Sequence, residues 1–516
     1  METVVTFFND IVWSAALVIL LVVTGLYFSI RMRLFQVRYI VDMVRLLFKG
    51  GKSEEGISSF QAIAVSLAGR VGTGNIVGVS TAIFIGGPGA VFWMWLIAFL
   101  GAGSSFVEST LAQIYKQKED GQYRGGPAYY IEKGIGGTFG KYYALLFAVV
   151  TILACGVLLP GIQSNSISSA ATNAFPIESW MIGAFIVVIL AVVIFGGIRS
   201  IANVATAAVP FMAIAYIIVA VIIVIMNISE VPALISLIFR SAFGLEQQFA
   251  GTVGAMIMIG VKRGLYSNEA GQGTGAHAAG AAEVSHPAKQ GLVQAFSVYI
   301  DTLFVCTATA LMILMTGMYN VSDGDGGLIV DNGVYQTNVD GEKDVSGTVV
   351  FTQAGIDSAF HNMDSFQEGF IGFGSYFIAF ALLFFCYTTM LAYYYIAETN
   401  LVYMLKGRMP WLKIVLGLAL IASAFYGTVS TADVAWQMGD LGVGLMAWIN
   451  VIAILILQKP ALRAFRDYER QYKLQKQGKI DDIVYTPERE DFKEHNFWVD
   501  EYPRRNEEGY DYPDRN

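Results

Sequence analysis

Apolar residues run along this chain in long blocks and not in amphipathic stripes. Runs of spanning length fall at about 11–30, 58–85, 89–115, 142–160, 179–197, 203–227, 247–264, 290–317, 366–397, 411–428 and 437–457. A helix needs about 20 apolar residues to cross a hydrocarbon core, so the pattern predicts about eleven transmembrane helices. The first run resembles a leader only in position. Glu2 and Asp10 precede it, Arg31 and Arg33 close it, and no small-residue cleavage site follows, so it is read as a retained helix.

Two runs are interrupted. One break covers Leu67-Ala68-Gly69-Arg70-Val71-Gly72-Thr73-Gly74-Asn75-Ile76, and the other covers 260–271, with Lys262, Arg263, Asn268 and Glu269 among its glycines. Glycine lowers the cost of leaving helical geometry. Lipid cannot satisfy the freed N–H and C=O groups, so such a break lines a cavity or is buried in protein. Arg70, Asn75 and Gly78 recur as Arg263, Asn268 and Gly271 at the same spacing. With the first helix set aside, the breaks open two halves of five helices, and an odd number makes the halves inverted.

The expected architecture is therefore all-α and polytopic: two inverted five-helix repeats plus one extra N-terminal helix, with discontinuous first and sixth core helices. Residues 1–57 form the extra helix and a basic connector, 58–245 the first repeat, 246–457 the second with a long loop at 319–353, and 458–516 a polar tail. Secondary transporters bind at the midplane between such discontinuous helices. Half-helix N–H groups suit a carboxylate and unwound carbonyls suit a small cation, so the pattern points to a zwitterionic amino acid with Na⁺. The rival reading is that the glycines merely kink two packed helices. Gly72-x-Gly74 follows no strand and is no dinucleotide fingerprint.

Composition supports the membrane reading. Of 516 residues 55% are hydrophobic and 14% charged, against about 25% charged in soluble domains, and mean hydropathy is +0.54. The net charge of −8 is unevenly spread. Arg31, Arg33, Arg38, Arg45, Lys49 and Lys52 crowd the first connector, and every second loop after it is richer in Lys and Arg. The positive-inside rule then predicts an integral plasma-membrane protein, N-terminus outside and C-terminus cytoplasmic. Arg240 is the exception. The loop 319–353 is acidic, and its SDGDGG stretch does not match the full calcium-loop pattern. The tail reads as disordered or loosely attached. Cys155, Cys306 and Cys386 read as small hydrophobes, and the four histidines form no metal cluster.

Ionisable groups inside spans are functional candidates by default: Arg70, Glu108, Arg263, Glu269, Asp301 and Glu398. Glu398, beside a loop, reads as a boundary pair. Arg70 and Arg263 are expected either to hold helices together by mutual pairing or to form a cytoplasmic gate by pairing with Glu108, Glu269 or Asp301. Gln163, Ser164, Asn165 and Ser166 end the fourth span, and Thr388 and Thr389 interrupt the ninth; their hydroxyls suit a cation or bond back to their own helix. Tyr393, one turn beyond Thr389, is assigned to the pocket. No nucleophile–base set, metal triad or nucleotide loop emerges, so neither an enzyme nor a cofactor is expected beyond Na⁺ as coupling ion.

The stretches SSFQAIAVSLAGRVGTGNIVGV (58–79), GGPGAVFWMW (86–95), RGGPAYYIEKGIG (124–136), IQSNSISSA (162–170), RGLYSNEAGQGTGAHAA (263–279) and HPAKQGLVQAFSVYIDT (286–302) resemble the alanine/glycine:sodium symporter family. The resemblance runs from about 30 to 457. It implies a leucine-transporter-type fold and sodium-coupled symport of small neutral amino acids, with proton coupling as the alternative and a channel less favoured. The string Val71-Gly72-Thr73-Gly74-Asn75 is also similar to the unwound first core helix of neurotransmitter:sodium symporters, which implies that Thr73 and Gly74 amides hold the substrate carboxylate, with Asn75, Gln163, Asn165, Asn268 and Tyr393 near the substrate. Carbonyls of Ala68 and Val71 and hydroxyls of Thr388 and Thr389 would hold sodium. The chain departs from the family pattern at Ala392-Tyr393, where many members have Gly-Trp, and at Thr206-Ala207-Ala208, where members often carry an acidic residue.

Overall fold

The computed structural model describes residues 2–48, 56–119, 121–246, 249, 253–323, 327–331, 333–335, 348–361, 372–406, 408–487 and 496–500. Helices α1 (Glu2–Val12) and α2 (Ala15–Arg31) form one apolar run bent by 41°. The bend sits where α1 is fastened: Asn9 Nδ2 donates to Gln437 O (2.8 Å) and Trp13 Nε1 to Asp440 O (2.9 Å). Short helices α3 (Phe35–Arg38) and α4 (Ile40–Leu47) follow.

Helix α5 (Ser59–Arg70) starts on a capping box in which Ser58 and Gln61 satisfy each other's free amides. It ends at Arg70, and the chain resumes as a π-turn over Gly74–Gly78 and α6 (Val79–Gly86), bent by 52° from α5. Helix α7 (Gly89–Ile114) is the central post, and an antiparallel hairpin of β1 (Gln117–Glu119) and β2 (Gln122–Arg124) caps its end. Then come α8 (Pro127–Ile135), α9 (Gly137–Leu153) running through a π-turn into α10 (Leu159–Ala174), α11 (Ser179–Ile194), α12 (Gly197–Met226) and α13 (Val231–Ala242).

Helix α14 (Val253–Asn268) and α15 (Thr274–Ala281) flank the second break. Helix α16 (Pro287–Val298) passes through a π-segment, Tyr299–Cys306, into α17 (Thr307–Thr316). A three-stranded sheet of β3 (Val321–Ser322), β4 (Leu328–Asp331) and β5 (Val334–Tyr335) precedes α18 (Thr348–His361). The chain closes with α19 (Phe373–Leu405), α20 (Leu412–Val429), α21 (Ala432–Ile456), α22 (Gln458–Lys476) and α23 (Phe497–Asp500).

Among the described residues seven helices are long and apolar enough to cross a membrane, or up to nine if each bent pair is one span. Of the eleven predicted runs, the two outside that set are carried by α11 and α14, of 16 residues each. At 1.5 Å per residue such a helix is about 24 Å long. The outer surface is apolar where acyl chains would lie: Val188 and Val192 of α11 and Phe211, Ile214, Ile218 and Ile225 of α12 are exposed. The result is an all-α polytopic membrane protein.

Two expectations need correction. The second break is shorter than the 260–271 stretch suggests, because α14 stays helical to Asn268. Gly260 is there for close packing: a Cβ on it would stand 2.6 Å from Ala90 O and from Trp93 Cβ. The tail is not loosely attached over its described part. Helix α22 buries Phe465 and Tyr468 against Phe35, Tyr39 and Phe106. Tyr468 hydrogen-bonds Asp42, and Arg38 pairs with Glu469 at 2.6 Å. Trp498 is buried and donates from Nε1 to Gln113 O at 2.8 Å. A polar helix with one aromatic face has no long apolar run, yet that face suffices for docking.

The SDGDGG stretch lies partly outside the described residues, as does Asp325 with it. Of the remainder, Gly327 N–H donates to Asp323 Oδ1 at 2.8 Å.

Candidate functional site

The first break leaves backbone groups of Gly72 and Thr73 without helical partners, and side chains supply them. Asn75 Oδ1 accepts from Gly72 N–H at 2.8 Å, and Gln163 Oε1 of α10 accepts from Thr73 N–H at 3.1 Å and Thr73 Oγ1 at 3.0 Å. Gly72 has no room for a side chain, since a Cβ would meet Thr389 Oγ1 at 2.6 Å and Gln163 Oε1 at 2.8 Å. The amides of this break are therefore presented to side-chain carbonyls, the position a substrate carboxylate would compete for.

On the other side of the break, Thr389 Oγ1 of α19 stands 2.7 Å from Ala68 O, 3.3 Å from Val71 O and 2.9 Å from Phe385 O. Phe385 O is the hydroxyl's own i−4 neighbour in α19, whereas Ala68 O and Val71 O come from the break, so the oxygens of two helices meet in an oxygen-rich, electronegative cage. Hard oxygen donors of this kind fit a small cation. Thr388 Oγ1 bonds back to Phe384 O and Phe385 O of its own helix at 3.0 Å, and among the described residues it is Thr389 that reaches the carbonyls of the break.

The second break runs over 269–273 and uses left-handed backbone: φ is +56° at Glu269, +91° at Gly271 and +85° at Gly273. Asn268 Oδ1 accepts from Ala270 N–H (3.0 Å). Glu108 Oε2 of α7 accepts from Gly273 N–H (3.1 Å) and from Asn450 Nδ2 (2.8 Å), and Asn450 also donates to Gly271 O (2.9 Å). A carboxylate at the start of α15 also complements that helix's dipole.

The two breaks cross. A Cβ on Gly74 would stand 2.9 Å from Ser267 Cα, and one on Gly69 would stand 3.4 Å from Glu269 Oε2. At the crossing, Asp301 takes hydrogen bonds from Asn75 Nδ2, Ser267 Oγ and Thr302 Oγ1, each at 2.7 Å. Thr309 Oγ1 donates to Asn75 O at 2.7 Å. Asp301 lies in the π-segment of α16–α17, and extra π-turns often mark functional sites.

The buried charges sort differently from the expected pairs. Arg70 makes no ion pair among the described residues: Nη1 donates to Gln294 O (3.1 Å) and to Ser297 Oγ, and Nη2 to Ser105 Oγ (3.2 Å). Glu269, Glu108 and Asp301 act on it only from beyond ion-pair contact. Arg263 pairs with none of those three carboxylates. Its partner is Asp440 Oδ2 of α21 (2.6 Å), which Lys262 shares (2.7 Å), and its guanidinium stacks 4.1 Å from the Trp436 ring. Glu398 pairs with Arg124 and Lys413, each at 3.2 Å, a structural pair as expected.

Among the predicted residues the structure gathers Ala68, Val71, Thr73, Gly74, Asn75, Gln163, Asn268, Glu269, Asp301, Thr389 and Tyr393 around the crossing; Tyr393 is buried and faces Glu269. Asn165 is not among them. Its amide ties α10 to the end of α20 through Gly427 O (3.0 Å) and Ser430 O (2.9 Å).

Several neighbours were missed. Asp440, the one charged residue of the 437–457 run, carried the same signal as the residues singled out. Cys386 stands 3.2 Å from Thr73 Oγ1 and Cys306 3.2 Å from Ser267 Oγ; as cysteines in apolar runs they carried no signal. Neither did the Phe385 carbonyl, a backbone group.

The model of the sodium:alanine symporter family matches residues 1–482. A putative sodium/proton-dependent alanine carrier protein of Bacillus subtilis (strain 168) is 54% identical over 500 residues, covering 97% of this chain and 98% of the relative. A sodium/proton-dependent alanine carrier protein of Bacillus sp. (strain PS3) is 48% identical, covering 90% of this chain and 98% of the relative. A probable sodium/glutamine symporter of Bacillus subtilis (strain 168) is 40% identical, covering 92% of each. The chain belongs to the sodium:alanine symporter family, a family of transporters and not of enzymes.

Proposed function

We propose that this protein is a sodium-coupled symporter that carries alanine and glycine across the membrane by alternating access. The observation that carries the proposal is the Thr389 hydroxyl set among the carbonyls of Ala68, Val71 and Phe385, directly beside the capped amides of the first break. Na⁺ would replace the hydroxyl proton as the partner of those carbonyls. The Thr389 oxygen would become a ligand, and α5 would be joined to α19. The substrate carboxylate would take over Thr73 N–H from Gln163 and reach Gly74 N–H, with Asn75, Asn268 and Tyr393 forming the wall. A cation beside an anionic group strengthens the binding of both, which is a physical basis for coupling.

The remaining parts of the reading go with it. The chain crosses the membrane eleven times, N-terminus outside and C-terminus cytoplasmic, as two inverted repeats of the leucine-transporter type at 58–245 and 246–457. Arg263, Lys262 and Asp440 form one gate and the Arg70 network the other. One Na⁺ moving down 100 mV supplies about 2.3 kcal/mol, and a tenfold gradient adds about 1.4 kcal/mol, enough for a few-hundred-fold accumulation of substrate.

Proton coupling is the second reading. It is favoured by Glu108, Glu269 and Asp301, three buried carboxylates around the single Arg70, and two relatives are named sodium/proton-dependent. Uptake of labelled alanine and glycine into proteoliposomes, under a Na⁺ gradient or an H⁺ gradient alone, tests both. Sodium alone driving uptake supports the proposal, and protons alone driving it replace Na⁺ with a titrating carboxylate.

A further inference from the structure

Tyr266 precedes Ser267, the residue on which Gly74 closes, so its ring hangs from the crossing of the two breaks. It is 3% exposed, and its hydroxyl has no hydrogen-bond partner among the described residues. The ring lies 5.2 Å from Trp436 and its oxygen faces Gly439, where a Cβ would meet it at 3.4 Å and Ile162 Cγ2 at 3.2 Å. Ile162 adjoins Gln163, and the Arg263 guanidinium lies 5.7 Å from the centre of the ring. The hydroxyl, carried on α14, is thus set against α10 and α21, and α10 also supplies the cap of the Thr73 amide.

A buried hydroxyl without a partner is costly, because it has given up water and gained nothing. Phenylalanine would fill the same space at no such cost, and a pocket meant for a methyl side chain alone would be served better by it. A hydroxyl on the substrate removes the penalty, since two O–H groups donate and accept reciprocally.

Resting on the symport reading above, we infer that Tyr266 is a specificity-determining residue whose hydroxyl receives a hydroxylated side chain, so that the carrier takes serine as well as alanine. Alanine leaves the phenol as it is in the empty site, whereas a substrate hydroxyl gains one hydrogen bond, which favours it by about tenfold without excluding alanine.

The test uses sodium-driven uptake in proteoliposomes holding the full chain. In the unaltered protein, serine is expected to be carried and to compete with alanine. It is also expected to outcompete 2-aminobutyrate, its near-isostere without the hydroxyl, about tenfold. Tyr266→Phe is expected to lower the serine-to-alanine ratio of kcat/KM by about the same factor. Serine that is neither carried nor competing, or a serine preference over 2-aminobutyrate that is absent, overturns the inference, as does an unchanged ratio in Tyr266→Phe. The 2-aminobutyrate comparison needs no variant and stands if Tyr266→Phe does not fold. Failure of the underlying reading shows separately, as absence of sodium-driven alanine uptake by the unaltered protein.

Discussion

The two breaks share an arginine, an asparagine and a glycine at equal spacing, yet they solve the same physical problem by different means. In the first, the backbone stays in ordinary regions of conformational space, and the loose amides are taken by Asn75 and Gln163. In the second, Glu269, Gly271 and Gly273 turn left-handed and a carboxylate, Glu108, takes the freed amide. The first is held by neutral acceptors that a stronger anion can displace. The second is held by a buried carboxyl group that Asn450 also grips. Exchangeable neutral partners suit a binding site, and an acceptor fixed by a second donor suits a scaffold.

The arginines differ in the same sense. Arg263 has a carboxylate and an aromatic face; Arg70 has a carbonyl and two hydroxyls. A buried guanidinium without an ion pair is held by geometry and by longer-range charge. Its network is therefore sensitive to any change in the Glu108, Glu269 and Asp301 charges around it.

The largest effect is expected from Arg70→Ala, which leaves those three carboxylates with no buried cation among them. Alanine uptake is expected to fall at least about a hundredfold, on the scale of unpaired buried charge. Activity near that of the unaltered protein would make Arg70 a packing residue like any other.

Asp440→Asn comes next. It strands both Arg263 and Lys262, and breaking a buried pair costs roughly 3–5 kcal/mol. Unfolding temperature in detergent and uptake should both drop, and by more than in Arg263→Gln, where Asp440 keeps Lys262. Equal effects would mean that the pair, and not the stranded charge, matters.

Thr389→Ala removes one of the oxygens in the carbonyl cage. The Na⁺ concentration for half-maximal uptake is expected to rise about tenfold, with alanine KM at saturating Na⁺ changed far less. An unaltered Na⁺ dependence removes Thr389 from the ion site.

Trp498→Ala is expected to act least on transport and mostly on stability, lowering the unfolding temperature by a few degrees through lost burial of a large aromatic. A tail held loosely would show no shift.

Much of the plan was legible because its signals are local. A run of about 20 apolar residues needs no tertiary context to be recognised, and neither do glycines interrupting it at 69–74. The extent of the second break was not legible, since the same residue type serves unwinding at Gly273 and close packing at Gly260. Asn165 misled for a similar reason. It lies two residues from Gln163, about 200° around a helix of 3.6 residues per turn, so the two amides point to different neighbours.

Class, polarity of the blocks and the presence of two breaks followed from composition and order along the chain, because the energetics of lipid contact and of unsatisfied backbone act residue by residue. Which carboxylate meets which arginine did not. Asp440 and Arg263 are 177 positions apart, and their 2.6 Å contact joins α14 to α21 only in the folded chain. Long-range pairing depends on helix rotation and crossing, which no local pattern encodes, and so the carbonyl cage, the Arg263–Asp440 pair and the Tyr266 hydroxyl without a partner among the described residues became visible only once the chain was folded.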